Sequence, residues 1–508
     1  VDARTLALNF TLILPFMLAG AWWWLSWLMP RLPEKPRHVA WADWLTCAAL
    51  VLVLGSGVML IVVMRGQPEF TLTFSSFKLL IFITLGFRFD WVALTFFVLL
   101  GALFLWGEWA ALMDSESPPT DVAALRTNRD QLGALGAMTL TLFASDVVVQ
   151  VLLWHLVPLA LCSMMRQDRR AVSGRAVQKR WLIAVSVAGV PFLAGVLILC
   201  GRAGAADPAL LRPALTSTPS GILLLSGVLM LAGLYIKLGL MPLHRWTSAL
   251  LHSTPLRARL LLTTALPVLD LYLFARLFFG LYPYWGFQEM SAPLTALGLL
   301  AMGWSAVRAW DGKNDLDADR MVARRLEALH VNQLGFILLG MGVFSLSAIH
   351  GSLLHIAVRA GALMALSGLV WTMSQGRWLA VASGVHKVAA VIAAASLMGV
   401  PGTAGFLSAG NIIVGLWQLP SQGAKFLTVA VIAAALGAVM PLLRPLLAAP
   451  PRRPTRRRTL SPAPSANGVL NLPWAIISGV LLGLGIWTEP LSQWAQLLER
   501  TLHIRLHF

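Results

Sequence analysis

The residue with the sharpest chemical question attached to it is Lys237. Residues 221–276 read GILLLSGVLMLAGLYIKLGLMPLHRWTSALLHSTPLRARLLLTTALPVLDLYLFAR, two apolar runs joined by a short polar link. Lys237 closes the first run, Gly239 and Pro242 follow it, and His244, Arg245, Trp246 and His252 fill the link. A cation at depth in hydrocarbon costs about 2.5–3.5 kcal/mol on insertion scales, so such a lysine is either a functional group or one that snorkels from a helix end. Gly and Pro directly after it predict an unwound segment, which a membrane tolerates only against protein or a water-filled cavity.

Other polar residues inside apolar runs extend the set. His155 lies about one turn past Gln150; histidine titrates near neutral pH, so it is a relay, a partner to Lys237 if one of the two is neutral, or a hydrogen-bonded packing residue. Asp270 lies well inside the eighth run, with Leu266 and Phe274 on its own face. Its partner must therefore come from another helix, and it is a candidate counter-charge for Lys237. Arg276, on the same run, faces a different side and is expected to reach a surface. Arg359 sits in SLLHIAVRAGALMALSG and is a relay or half of a structural ion pair, with His355 four residues earlier on its face. His330 and Gln333 open the tenth run, as channel lining or as core.

The elements that position these groups are membrane spans. Hydrophobic residues make up 58% of the chain and charged ones 12%, with a mean hydropathy of +0.75. Apolar runs of about 20 residues recur and are continuous, which predicts transmembrane helices and excludes a transmembrane barrel of short alternating strands. Fourteen or so spans follow: 6–28, 41–64, 90–113, 128–145, 147–165, 181–200, 221–240, 258–280, 291–310, 326–346, 352–374, 387–418, 425–446 and 469–488. Segment 70–88 alternates polar and β-branched residues and reads as an extramembrane hairpin or interfacial segment.

Charge tests the count. The formal net charge is +17, and most of the 39 lysines and arginines fall in alternate loops: Arg31 to Arg37, Arg166 to Arg180, Arg245 to Arg259, Lys313 to Arg325, Arg377 to Lys387, and Arg444 with the run Arg452 to Arg458. By the positive-inside rule those loops are cytoplasmic and both termini extracytoplasmic. The excess of positive charge is thus topological, and no nucleic-acid partner is expected. The run at 452–458 reads as a solvated anchor, with docking of an acidic partner or lipid head group as the alternative. Cys47, Cys162 and Cys200 lie in apolar runs without metal-type spacing, and the 21 tryptophans cluster at span ends as interfacial belts do. No basic segment with a small-residue cleavage site opens the sequence, so the first span is expected to direct insertion. Phosphate-binding glycine loops and nucleophile elbows are absent; no catalytic residue, cofactor or metal is expected on this chain.

A second break falls in the twelfth span, where SLMGVPGTAGFLSAGNII places Gly-Val-Pro-Gly within an apolar run. Breaks at corresponding places in two halves point to inverted repeats. The expected domains are 1–127 (three helices with an extracytoplasmic hairpin), 128–283 and 284–446 (two five-helix units, spans 4–8 and 9–13), and 447–508 (basic cytoplasmic loop and last helix).

At these positions the sequence resembles the antiporter-like membrane subunits of respiratory complex I and their relatives in multisubunit cation/proton antiporters, membrane-bound hydrogenases and a two-protein inorganic-carbon pump. The family's K-S-A-Q-x-P-L-H-x-W is similar to KLGLMPLHRW from Lys237, and its alanine–arginine pair falls without a gap on Ala275 and Arg276. W-E-L-V-G-L-C-S-Y resembles WHLVPLALCS from Trp154, G-I-P-P-F-A-G-F-F-S-K resembles GVPGTAGFLSA from Gly399, and the tenth helix resembles VNQLGFILLG from Val331. The resemblance implies an all-α polytopic protein of a bacterial inner membrane, embedded in the lipid bilayer beside other membrane and peripheral subunits of a larger complex. It implies proton or cation conduction by Lys237, modulated by a nearby anion and continued along polar residues, here His155, Asp270, Arg359, His244 and His330. At most such a chain is the translocating subunit of an oxidoreductase-type complex. The sequence departs from the family at several stations. The fifth-helix glutamate is His155, the eighth-helix histidine Leu262, the tenth-helix lysine falls near Ala323, the eleventh-helix basic residue near Val358 or Arg359, and the twelfth-helix lysine is Ala409. Two alternatives therefore stand beside conduction: the membrane subunit of a proton-driven inorganic-carbon pump, and a scaffold that conducts nothing.

Overall fold

The protein is seen in a computed structural model that describes residues 3–28, 40–64, 69–78, 82–114, 121–165, 172–240, 254, 256–311, 318–374, 384–447 and 472–502. Its described elements are α1 (Ala3–Leu28), α2 (Ala40–Val63), β1 (Glu69–Lys78), β2 (Phe82–Asp90), α3 (Trp91–Asp114), α4 (Asp121–Phe143), α5 (Val147–Met164), α6 (Val172–Ala203), α7 (Pro208–Leu215) and α8 (Ser220–Lys237). They continue with α9 (Leu256–Thr263), α10 (Ala265–Leu281), α11 (Tyr284–Trp310), α12 (Ala318–Gly342), α13 (Leu346–Ser374), α14 (Gly384–Met398), α15 (Ala404–Trp417), α16 (Gln422–Leu447), α17 (Leu472–Ile486) and α18 (Glu489–Leu502).

Apart from the β1–β2 hairpin this is a helical, multi-pass membrane protein. Among the described residues nine helices are long and apolar enough to cross a membrane, and four shorter apolar helices accompany them. Helices α4 and α12 carry charged residues over their first turns (Arg126, Arg129 and Asp130; Arg324, Arg325 and Glu327), so length and apolarity alone do not single them out. Segment 70–88 forms most of an antiparallel hairpin, running from Glu69 opposite Asp90 to Lys78 opposite Phe82, with an irregularity between Thr73 and Ser75.

Both breaks follow from local sequence. Helix α8 ends at Lys237 because Gly239 takes φ +63°, a left-handed conformation that side chains disfavour. The Gly239 N–H bonds to the Ile236 carbonyl (3.1 Å) and the Leu240 N–H to the Tyr235 carbonyl (3.2 Å), the paired closure of a Schellman motif. Helix α14 stops in the same way: Gly399 has φ +72°, its N–H bonds to Ser396 O (3.3 Å), and the Val400 N–H bonds to Ala395 O (3.0 Å). The chain then restarts as α15. The eighth span, expected to be continuous, is also interrupted. Pro267 has no N–H for the Thr263 carbonyl, and Thr264 leaves helical geometry at φ −120°, ψ −65° between α9 and α10. The short helix α7 and the amphipathic α18 add to the expected spans.

The chain divides into two compact units: Val1–Glu108, Glu116–Ala296 and Trp494–Phe508; and Trp109–Ser115 with Leu297–Gln493. In the first, the hairpin is tied to the α4–α5 turn by the Ser145 N–H to Gly86 O (3.1 Å) and the Thr84 N–H to the Asp146 carboxylate (3.0 Å). Asp146 also caps α5, accepting from the Val148 and Val149 N–H groups. In the second, Met302, Phe336, Leu339, Val343, Ala348, Ala409, Ile412, Leu416 and Val431 form a continuous buried core. Gly351 there lets α13 approach α15 closely, since a Cβ would lie 2.6 Å from Ser408 O.

Candidate functional site

The first unit holds a buried charge pair at the end of α8. Lys237 Nζ lies 3.6 Å from Asp270 Oδ1, and both side chains are 1% exposed. Lys237 is the last residue of α8, so the Schellman closure behind it fixes where its side chain starts. Asp270 projects from α10, and its partners come from two other helices, α5 and α8.

Trp154 of α5 touches both charges. Its indole Nε1–H donates to Asp270 Oδ1 (2.6 Å), its ring face lies under the Lys237 ammonium (3.2 Å to the centroid), and its carbonyl accepts from Lys237 Nζ (3.4 Å). Phe192 of α6 packs against the indole with ring centroids 4.6 Å apart. Both charges are thus desolvated, but Lys237 is met by an opposite charge, a carbonyl dipole and a π face, and Asp270 by an opposite charge and an indole N–H, which is the condition for a charged group to persist in such a place.

His155 is turned elsewhere. Its Nδ1 meets the Val151 carbonyl of its own helix (2.5 Å), and its ring packs onto Gly189 of α6, where a Cβ would collide with it. Of the two candidate partners for Lys237, Asp270 stands in direct contact. His244 lies outside the described residues. Arg276, expected at a surface, is instead largely buried: it pairs with Asp90 (2.6 Å) and donates to the Tyr272 hydroxyl (2.8 Å). Asp90 ends the hairpin, a partner that span counting gives no means of finding.

The second unit brings its own predicted residues together. Arg359 of α13, 0% exposed, donates from Nη2 to His330 Nδ1 of α12 (3.0 Å). His355, one turn earlier, meets Gln333 Oε1 through Nε2 (2.8 Å) and Ser408 Oγ of α15 through Nδ1 (2.9 Å). His355 thus joins Gln333 to Ser408, so α12, α13 and α15 share one hydrogen-bonded line of neutral polar groups.

A third set is not visible from the sequence pattern. Arg257 of α9 lies 3.3 Å from Asp43 of α2 and 3.1 Å from Glu108 of α3, and donates to Asn128 of α4 (2.7 Å). By its place in the chain Arg257 reads only as a topological charge. The signal for its partners is nonetheless present: Asp43 and Glu108 are single acids within otherwise apolar stretches, and such acids need partners.

Comparisons with known proteins agree with this architecture. Residues 144–437 match the family described as NADH:quinone oxidoreductase/Mrp antiporter, TM. The NADH-quinone oxidoreductase subunit N of Desulforudis audaxviator (strain MP104C) is 28% identical over 273 residues, 51% of this chain and 52% of that protein. An NAD(P)H-quinone oxidoreductase chain 4 of Picosynechococcus sp. is 25% identical over 214 residues, 40% of this chain and 38% of its own length. The chain therefore spans about half, or less, of the curated relatives it matches. The same fold occurs in the Mrp complex from Dietzia sp. DQ12-45-1b (TM-score 0.76, 18% identity, 99% of this chain and 52% of that chain). It recurs in respiratory complex I from Thermus thermophilus (TM-score 0.68, 18% identity, 94% and 97%) and in the archaeal membrane-bound sulfane sulfur reductase (TM-score 0.77, 13% identity, 99% and 100%).

Proposed function

The chain belongs to the NADH:quinone oxidoreductase/Mrp antiporter membrane family, and from that premise we propose that it is a proton-conducting, antiporter-like subunit of a multisubunit complex in a bacterial inner membrane. The observation that carries the reading is the Lys237–Asp270 pair, fully buried beside a helix break. A buried ion pair is weak evidence for stability, because well-packed apolar residues serve that purpose as well or better. A site that holds a lysine and an aspartate within reach of each other, buried beside a helix break, is a site for moving a proton.

Lys237 is the titrating group, and Asp270 takes the place of the family's fifth-helix carboxylate as its modulating anion. When Asp270 is near, the ammonium is favoured; when it moves away, desolvation favours release of the proton. His155 beside Trp154, and His244 in the link after Lys237, are the candidates to exchange protons with the pair. His330, Arg359 and His355 form the polar set of the second unit. The subunit's neighbours are other membrane and peripheral subunits, which supply the driving chemistry. The arginine-rich loops face the cytoplasm, and both termini lie on the opposite side.

The test is reconstitution with its natural partners into liposomes and measurement of proton flux. The wild type carries flux and Lys237→Ala abolishes it. Equal flux in the two would sink the assignment of Lys237, and a wild type that carries none would leave a scaffold.

A further inference from the structure

The cluster around Arg257 has a charge count that does not close. Asp43 (α2) and Glu108 (α3) supply two carboxylates, and Arg257 (α9) supplies one guanidinium. Among the described residues, the remaining groups that face them are neutral: the Cys47 thiol of α2 and the Asn128 and Gln131 amides of α4. Ionised throughout, the cluster carries one net negative charge within a membrane bundle. Glu108 is 0% exposed, so that charge has no water to relax it.

The hydrogen-bond count is short at the same place. Asn128 is satisfied, accepting from Arg257 and donating to Asp43 Oδ1 (2.9 Å). Gln131 uses one of its two amide N–H groups on the Phe104 carbonyl (3.2 Å). Among the described residues Gln131 Oε1 receives no hydrogen bond, and the donors beside the Glu108 carboxyl are Arg257 Nη1, 3.1 Å from Oε2, and the Gln131 amide. The Gln131 side chain lies against the Glu108 carboxyl. Gln131 Oε1 is thus a buried acceptor with no donor, and the Glu108 carboxyl has only the guanidinium and one amide N–H to share. Buried acceptors of this kind are rarely left unmet.

One added proton resolves both counts. On Glu108 it neutralises the excess charge and creates an O–H that can donate to Gln131 Oε1. A metal cation would answer the charge but would be repelled by the guanidinium already seated between the carboxylates, and the Asn128 oxygen is taken. The side chains grade inward, with Arg257 and Asp43 13% and 11% exposed and Glu108 sealed behind them. That is the order of a site filled from an aqueous edge.

We propose that Glu108 and Asp43, bridged by Arg257, bind one exchangeable proton, and that this site loads protons toward Lys237–Asp270. Arg257 and Asp270 lie on the same broken span, separated by about 20 Å of helix rise, so water must complete the route. The proton leaves bulk water for a Glu108 oxygen, turning carboxylate into carboxylic acid, and departs from the same oxygen. The loading role rests on the proposed function of Lys237; the binding of a proton does not.

Infrared difference spectra of the purified full chain in lipid, recorded in H2O and D2O at neutral pH, read the site directly. The wild type shows a protonated-carboxyl C=O band that shifts in D2O. Glu108→Gln removes it, and so does Asp43→Asn, since Glu108 and Arg257 then balance without a proton. A band unchanged in both variants overturns the site, and either variant alone suffices should the other fail to fold. Proton flux in the reconstituted complex tests the role: both variants lower it severalfold, and wild-type flux in both overturns loading without touching the bound proton that the band reports. If the wild type itself conducts nothing, the proposed function and the loading role fail together, and the band alone decides whether the proton is bound.

Discussion

At the scale of single residues, the site is a lysine whose charge is divided among three partners. Asp270 supplies the opposite charge, and Trp154 supplies both a π face and a carbonyl while holding Asp270 by its indole N–H. Removing one member of a buried pair leaves the other uncompensated, which costs about 3–5 kcal/mol. Asp270→Asn is therefore expected to lower the thermal unfolding temperature in detergent and to abolish proton flux. The double replacement Lys237→Met with Asp270→Leu should recover much of the stability and none of the flux. Trp154→Phe keeps a π face but loses the N–H, so it should cost about 1–3 kcal/mol; Trp154→Leu should cost more, since the cation–π contact goes as well. Equal unfolding temperatures for the Phe and Leu variants would mean that the ring face contributes nothing. Lys237 and Asp270 are both legible as candidates because each is a lone charge in an apolar run. That they are each other's partner, and that His155 is not in contact with the lysine, depends on which faces of α5, α8 and α10 meet.

At the scale of elements, the two breaks use one device. Each helix is closed by a left-handed glycine and a pair of backbone hydrogen bonds, at Gly239 and at Gly399. The recurrence supports the proposal of two related five-helix units, 128–283 and 284–446. It also places Lys237 and Leu397 at the same position relative to their closures, so the first break carries a titratable group where the second carries an apolar one. Gly399→Ala forces a side chain into φ +72° and sets its Cβ 2.8 Å from that of Ala409. The conformational term alone is about 1–2 kcal/mol, and a stability loss of at least that size should appear in unfolding measurements. Gly189→Ala drives a methyl into the His155 ring and should destabilise the α5–α6 contact. Combining it with His155→Ala should restore stability; a sum of two losses would show that the collision is not the cause. The glycines and prolines announce the α8 and α14 breaks. The α9–α10 break stays hidden, because one Pro267 inside an apolar run does not distinguish a kink from a continuous span.

At the scale of the whole molecule, family membership and the shared fold describe a multi-pass membrane protein. The arrangement of its loops gives a direct test of orientation. Thr71 on the hairpin and Lys179 at the start of α6 are both exposed. With Cys47, Cys162 and Cys200 replaced by alanine, Thr71→Cys should react with a membrane-impermeant thiol reagent from outside intact cells. Lys179→Cys should react only after the membrane is opened. Labelling of both from one side would overturn the alternation of basic and neutral loops on which the orientation rests.

What the sequence determined by itself is whatever the membrane enforces locally. Hydrocarbon admits an apolar run of about 20 residues only as helix, so apolar runs name the spans, basic loops name a side, and Gly or Pro inside a run names a break. Lone charges such as Lys237, Asp270 and Arg359 stand out for the same reason. Pairing is different in kind. A charge at depth is obliged to have a partner, but the obligation is met by whichever helix packs against it, often far along the chain. Asp270 with Lys237 and Trp154, Arg276 with Asp90, and Arg257 with Asp43 and Glu108 were decided by that packing alone. The sequence states that Lys237 needs an answer; only the tertiary structure chooses Asp270 over His155 to give it.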